Sequence, residues 1–156
     1  MFKKGTIIGI IAVASLGVLL FSIHTSRATF GDVTTFIGEL YSGDGEQAVD
    51  AYFDFPEGIT TDGSGNFYLA DTYNNVIRKI ATNGIVSTFA GTGSTGLTNG
   101  STSVAEFNLP REVAFDDAGN MFVADSGNNV IRKISRGAVT TLVSTDLSNP
   151  QGLVAY

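Results

Sequence analysis

Residues 56–80 read PEGITTDGSGNFYLADTYNNVIRKI, and this stretch returns 54 positions later as PREVAFDDAGNMFVADSGNNVIRKI at residues 110–134. A second motif recurs at a spacing of 53 residues, in the segments Val33-Thr34-Thr35-Phe36, Val86-Ser87-Thr88-Phe89 and Val139-Thr140-Thr141-Leu142. Self-similarity at a fixed period of this length is the signature of a repeat architecture. The chain is therefore expected to be a tandem array of similar structural units.

Each unit is predicted to contain four short strands. The runs at residues 59–61, 67–70, 76–80 and 85–89 are rich in β-branched and aromatic residues, and Gly, Asn or Asp bounds each of them. Those bounding residues suit tight hairpin turns. Four strands in a unit of about 50 residues predict an all-β fold made of β-propeller blades, each with four antiparallel strands.

The two copies resemble the NHL repeat, whose blades typically read Pro-x-Gly-Ile-x-x-Asp, Gly-Asn-x-Tyr-Val-Ala-Asp and Asn-x-x-Ile-x-Lys. A third copy begins at Pro150-Gln151-Gly152-Leu153. The resemblance implies an NHL-like β-propeller that serves as an interaction platform. We expect blades at about residues 55–91 and 109–144, flanked by an outer strand at 33–37 and an inner strand at 152–155.

Two whole blades make an incomplete arc, because closed propellers usually have four to eight blades. An open arc leaves blade faces and strand edges uncovered. We therefore expect either a piece of a longer propeller or a chain that forms a homo-oligomer or associates with other propeller blades.

Residues 1–28 are predicted to be a signal peptide or a membrane anchor, with a hydrophobic helix at residues 5–23 behind Lys3-Lys4. Ser26-Arg27-Ala28 offers small residues for signal cleavage after Ala28. An apolar run of this length also approaches the roughly 20 residues that span a bilayer. Both alternatives put residues 29–156 outside the cytoplasm, either secreted or periplasmic, or anchored by residues 5–23, with no other membrane contact.

The charge balance disfavours nucleic acid as a partner. Residues 29–156 hold six of the nine Lys and Arg but all fifteen Asp and Glu, so this part carries a net charge of −9. Such a surface repels phosphate backbones. The chain has no cysteine, and its one histidine, His24, lies in the leader. Catalytic triads and metal sites built on His or Cys are thus excluded for residues 29–156.

The long segments between strand groups are the candidate binding regions, because insertions in a repeat array map to one face. Residues 39–55 are acidic and aromatic, whereas residues 92–109 hold a single acid, Glu106. Tyrosine and carboxylates on a rigid scaffold suit a protein, peptide or glycan ligand. The candidate binding residues are Tyr41, Asp44, Glu46 and Asp50.

Other notable residues are assigned to structure. Apolar residues of the same segments are expected to pack between sheets; they are Ala48, Ala51, Phe53, Phe55, Ala105, Phe107 and Leu109. Two polar sets occupy matching positions in the two copies: Asp71, Asn75 and Arg78 in the first, and Asp125, Asn129 and Arg132 in the second. Their repetition favours a structural role within each blade.

Calcium is the only cofactor that the residues suggest. Asp62-Gly63-Ser64-Gly65-Asn66 resembles half of a calcium loop but lacks the later bidentate glutamate. A hairpin turn explains the same residues, so no metal ligand is assigned.

The resemblance leaves one enzymatic alternative, since some similar propellers are lyases or lactonases. A metal-carboxylate site would need acids at the central axis, where Glu57 and Glu112 are the nearest options. They do not occupy equivalent repeat positions, and no catalytic residue is assigned.

Overall fold

The computed structural model describes residues 13–15, 18–20, 43–143 and 147–155. The chain divides into two compact units, Met1–Glu39 and Leu40–Tyr156. In the first unit, strands β1 (Val13–Ser15) and β2 (Val18–Leu20) pair in antiparallel fashion. The rest of the helix predicted at 5–23, and all of the outer strand predicted at 33–37, lie outside the described residues. Among the residues described, no helix is long and apolar enough to cross a membrane.

The second unit contains two antiparallel sheets, which we call blade 1 and blade 2. Blade 1 has four strands in chain order: β3 (Pro56–Thr61), β4 (Phe67–Asp71), β5 (Val76–Ile80) and β6 (Val86–Ala90). Blade 2 has five: β7 (Gly100–Ser101), β8 (Pro110–Phe115), β9 (Met121–Asp125), β10 (Val130–Ser135) and β11 (Ala138–Val143), in the spatial order β7-β11-β10-β9-β8. A short 3₁₀ helix, Ser126–Asn128, links β9 to β10. The predicted all-β fold with antiparallel sheets is confirmed.

The turns follow from residues that accept a left-handed backbone. Asn75 and Asn129 precede β5 and β10 with φ of 55° and 57°. Asparagine is among the few residues other than glycine that tolerate this region. Gly65 and Gly119 take φ of 83° and 79° in the hairpins that lead into β4 and β9. The repeated turn residues therefore give the two blades the same chain path.

The main core lies between the two blades. Alternate residues of a strand point to opposite faces, so Tyr68 and Ala70 share one face of β4. That face packs in one hydrophobic cluster with residues of β8 and β9, among them Val113 and Met121. The ring of Tyr68 meets Phe115 edge to face at a centroid distance of 5.1 Å. Each blade is thus stabilised by burying apolar surface against the other.

The opposite, outer face of blade 1 is less covered. Ile59 and Phe67 occupy the repeat positions of Val113 and Met121, yet they are 60% and 46% exposed, against 2% and 1% for their equivalents. The same side chain position is therefore buried or exposed according to whether another blade lies beside it.

Two strands at the margins of the sheets differ from the sequence prediction. The two-residue strand β7 adds a fifth strand to blade 2 by pairing with Ala138 and Val139. The inner strand predicted at 152–155 is not formed, since residues 151–155 carry no strand assignment. An inner strand pairs with the second strand of its own blade, and the described part of the chain holds no such partner for it.

The inner strands of the two blades approach closely at Gly58. A Cβ atom placed there would lie 2.6 Å from the carbonyl oxygen of Arg111 and 2.6 Å from the Cα atom of Glu112. Real Cβ atoms do not approach backbone so closely, because such contacts are strongly repulsive. Glycine at this position allows β3 and β8 to lie side by side.

We expect Gly58→Ala to lower the free energy of unfolding by about 1–3 kcal/mol, because the methyl group would push two backbones apart. Urea denaturation of the full chain, followed by circular dichroism, measures the change. The matched control is Gly63→Ala, where a Cβ meets nothing within 4 Å. Equal denaturation midpoints for the two variants would contradict the close approach.

Candidate binding surface between the blades

A buried aspartate ends the second strand of blade 1 and collects three donors. The Asp71 carboxylate accepts hydrogen bonds from the Asp54 backbone N–H at 2.7 Å, the Asn74 amide at 3.0 Å and the Arg78 guanidinium at 3.4 Å. Asp71 and Arg78 are fully buried. A buried charge is tolerated when it is paired and hydrogen-bonded, as here.

Blade 2 repeats this arrangement. Asp125 accepts from the Asn108 backbone N–H at 2.7 Å, from Asn128 at 2.9 Å and from Arg132 at 2.9 Å. Burial raises the pKa of both Asp71 and Asp125, while these hydrogen bonds and the arginine charge act in the opposite direction. Because both blades share the network, we assign it to the fold, as the sequence predicted.

Side chains of the same turns connect one repeat to the next. The Asn75 amide oxygen accepts from the Leu109 backbone N–H at 2.9 Å, and the Thr72 hydroxyl donates to the Pro110 carbonyl at 2.8 Å. One repeat later, Asn129 accepts from the Asn149 N–H at 2.8 Å, and the Ser126 hydroxyl donates to the Pro150 carbonyl. The third copy therefore begins in the same relation to blade 2 as blade 2 does to blade 1.

Each buried arginine also holds the segment that precedes its blade. Arg78 donates to Asp44 at 2.7 Å, whereas Arg132 donates to the Thr98 carbonyl and to the Asn99 amide oxygen, both at 2.8 Å. The guanidinium groups also lie over aromatic rings of these segments, Arg78 over Phe53 at 5.6 Å and Arg132 over Phe107 at 5.2 Å. The two inter-blade segments are thus positioned by equivalent contacts made with different acceptors.

Asp44 also accepts hydrogen bonds from Thr88 in β6, the edge strand of blade 1. Its carboxylate accepts from the Thr88 backbone N–H at 2.8 Å and from the Thr88 hydroxyl at 3.2 Å. The Asp44 side chain nevertheless remains 48% exposed. One face of this carboxylate is therefore engaged with the blade and the other is open to solvent.

Asp44 lines a surface pocket of about 370 Å³. The lining comes from β6 of blade 1 and from the segments that precede the two blades, and consists of Asp44, Thr88, Phe89, Ala90, Gly91, Thr92, Thr102 and Ser103. Hydroxyl and carboxylate oxygens make its polar part. The pocket is a place where a partner could meet both inter-blade segments at once.

The structure separates the four residues that the sequence selected. Tyr41 lies outside the described residues. Asp44 lines the pocket, while Glu46 and Asp50 are exposed on the same segment but are not part of its lining. Sequence reasoning missed Thr102 and Ser103, because their nearness to Asp44 depends on the stacking of the blades.

The packing predictions for these segments are confirmed in part. Ala105 and Phe107 are fully buried in the inter-blade core. The prediction for Phe55 was wrong, because its ring is 58% exposed and stacks on Tyr73 at a centroid distance of 5.1 Å. Within the described residues no blade precedes blade 1 to cover it.

The half calcium loop is a hairpin turn closed by its own aspartate. Asp62 accepts from the backbone N–H groups of Ser64 and Asn66 at 2.9 and 3.0 Å, from the Asn66 side chain at 2.8 Å and from the Tyr68 hydroxyl at 3.2 Å. In the described ranges no group of three or more His, Cys, Asp or Glu is arranged to hold a metal ion. Calcium binding and the metal-carboxylate alternative stay predictions.

Comparison with known proteins identifies the class to which this two-blade fold belongs. A family model, described as the teneurin NHL domain, matches residues 27–106. The chain belongs to this NHL family, and the resemblance seen in the sequence is confirmed.

Two curated relatives match the repeat region. The protein SUPPRESSOR OF QUENCHING 1, chloroplastic, of Arabidopsis thaliana is 34% identical over 100 residues, which cover 62% of this chain and 9% of that protein. NHL repeat-containing protein 3 of Homo sapiens is 29% identical over 114 residues, which cover 70% of this chain and 30% of that protein. The chain thus spans only a small part of the length of these relatives.

A solved structure with a similar chain path is a virginiamycin B lyase from Staphylococcus aureus. It has 16% identity and a TM-score of 0.48, over 64% of this chain and 30% of that one. A structural similarity of this extent supports no inference about the activity of this chain.

We expect the Asp62 carboxyl to titrate with a pKa of about 2, below the ordinary value of 3.8, because the Asn66 side chain and the turn's other donors stabilise the charged form. The stability it contributes is present above the unfolded-state pKa and is lost as the pH falls through about 2. Carbon-detected NMR titration of the carboxyl measures this pKa. Asn66→Ala should raise it, and an unchanged pKa in that variant would contradict the assignment.

Proposed function

We propose that this chain is an NHL-repeat scaffold that binds a protein partner through its two inter-blade segments, residues 43–55 and 92–109. NHL repeat domains generally mediate protein interactions, and the family match brings this role to the chain as the starting hypothesis. A binding platform of this kind needs surface residues that are not already engaged in holding the fold together.

The observation that carries the proposal is the meeting of both segments at the pocket beside Asp44. The recurring buried polar groups, by contrast, are engaged in holding the blades together. Residues that serve only packing recur in both blades, whereas these segments differ between the repeats. Loops that vary on a repeated scaffold are where recognition is usually built.

The segments also expose apolar side chains that suit a protein partner. Val49 is 90% exposed and Tyr52 is 56% exposed on the first segment, and Val104 is 50% exposed on the second. Tyrosine is enriched among the residues that dominate binding energy at interfaces. Apolar and aromatic groups mixed with carboxylates are the composition expected of a partner-binding surface.

We expect the double variant Val49→Ser, Tyr52→Ser to weaken binding to a partner peptide by at least about tenfold, or about 1.4 kcal/mol. Peptides are selected on the immobilised full chain from a random library, and their affinity is measured by fluorescence polarisation. The substitutions are expected to leave the fold intact, because both side chains are exposed.

The matched control is Val154→Ser, which removes a 74% exposed valine outside the two segments. Binding unaffected by the double variant would place recognition elsewhere and overturn the surface. Failure of any peptide to enrich above an unrelated propeller would overturn the protein-binding role.

We further propose that the chain acts outside the cytoplasm, delivered there by residues 1–28. The supporting features are Lys3-Lys4, the apolar run at 5–23 and the small residues that flank Arg27. Basic residues remain on the cytoplasmic side, so the acidic repeats would lie on the other side.

Mass spectrometry of the protein from fractionated bacterial cells tests this proposal. A mature N-terminus at Thr29 in the periplasm or medium would show a cleaved signal, and an intact chain in the membrane fraction with protease-accessible repeats would show an anchor. An intact chain in the soluble cytoplasmic fraction would overturn the proposal.

A further inference from the structure

The repeats differ in charge at one otherwise equivalent place. In blade 2 the buried Arg132 faces a single carboxylate, that of Asp125 at 2.9 Å. In blade 1 the buried Arg78 is shared by two carboxylates, those of Asp71 at 3.4 Å and Asp44 at 2.7 Å. One cation between two anions leaves an excess negative charge in blade 1, and Asp44 is its solvent-exposed member.

The blade does not require this second carboxylate. Arg132 satisfies the same donor, Nη2, with the Thr98 carbonyl and the Asn99 amide oxygen, both neutral groups. Neutral acceptors therefore suffice to hold an inter-blade segment against its arginine. The charge of Asp44 is a feature beyond what the repeat needs, and this half-exposed side chain lines the pocket.

The pocket has the chemistry to receive a cationic side chain. Besides Asp44 it offers Thr88, Thr102 and Ser103, whose hydroxyl oxygens can accept hydrogen bonds from an ammonium or guanidinium group. Phe89, which is only partly buried, supplies apolar surface for the methylene stem that such side chains bury. A volume of about 370 Å³ lies in the range of small ligand-binding sites.

A divalent cation fits the pocket less well. Calcium takes six to eight oxygen ligands, commonly from several carboxylates. Among the described residues that line the pocket Asp44 is the single carboxylate, and it already accepts hydrogen bonds from Arg78 and Thr88. An organic cation needs only one counter-ion and a few acceptors. The net charge of −6 on the chain also attracts a basic segment at long range.

We infer that this pocket binds a lysine or arginine side chain of the partner, with Asp44 as the counter-ion. The inference rests on the proposed function, because it names the chemistry of the partner segment at the same surface. The partly buried position of Asp44 makes such a pair stronger than one between fully exposed charges.

The test measures the binding of two labelled nonapeptides to the full chain by fluorescence polarisation. One peptide has three lysines among glycine and serine residues, and the other has glutamines in place of the lysines. We expect the lysine peptide to bind more tightly and to lose affinity as salt is added. Asp44→Asn should weaken the lysine peptide by at least about tenfold and leave the glutamine peptide unchanged. The variant keeps an amide oxygen for Arg78, as Asn99 does for Arg132.

Two further variants separate the pocket from general charge and from folding. Asp117→Asn removes the same charge from an exposed turn of blade 2 and should leave the lysine peptide's affinity unchanged. Ser103→Phe fills the pocket without changing charge and should weaken the lysine peptide as Asp44→Asn does. Cooperative urea unfolding of each variant verifies that it is folded.

Equal losses for Asp44→Asn and Asp117→Asn would overturn the inference, as would lysine binding that survives both Asp44→Asn and Ser103→Phe. If selected library peptides still depend on Val49 and Tyr52 in that case, the scaffold function stands and only the cationic subsite fails. If no variant affects any peptide, both proposals fail.

Discussion

Each blade depends on a buried arginine that pairs with an aspartate at the end of a strand, Asp71 of β4 or Asp125 of β9. Arg78 and Arg132 are fully buried, and either one would be costly to leave unpaired. The aspartate orders the turn before the next strand, β5 or β10, and the arginine contacts the segment that precedes the blade. The same ion pair thus joins the strands of one sheet to the chain that connects the sheets. The inter-blade segments, where the candidate binding surface lies, take their position from these arginines.

Comparison of the two repeats also distinguishes residues that serve the fold from candidates for function. Contacts that occur in both blades, such as those of Asn75 and Asn129 to the next repeat, serve the architecture. A departure at an equivalent position needs another explanation. Asp44 is such a departure, because a neutral backbone carbonyl and an amide take its place in blade 2. The excess charge, the exposure of Asp44 and the pocket together indicate recognition of a cation.

Much of the fold could be predicted because its signals are local. Hairpin residues and β-branched or aromatic runs recur in each copy, so the principal strands follow from the pattern. The two-residue strand β7 could not be predicted, since it exists only through pairing with β11. Asp44 was selected as a candidate from its segment, but its use by Arg78 and Thr88 depends on residues 34 and 44 positions away. Local patterns do not encode such contacts.

The amino-acid sequence alone determines the NHL repeat, the all-β class and the acidic character of the chain, because these depend on spacing and composition. Tertiary structure alone determines which equivalent side chains are buried. Val113 is covered by a neighbouring blade and Ile59 is not, although they share one repeat position. It also brings Thr102 and Ser103 beside Asp44, since stacking of the blades juxtaposes residues that are distant in sequence.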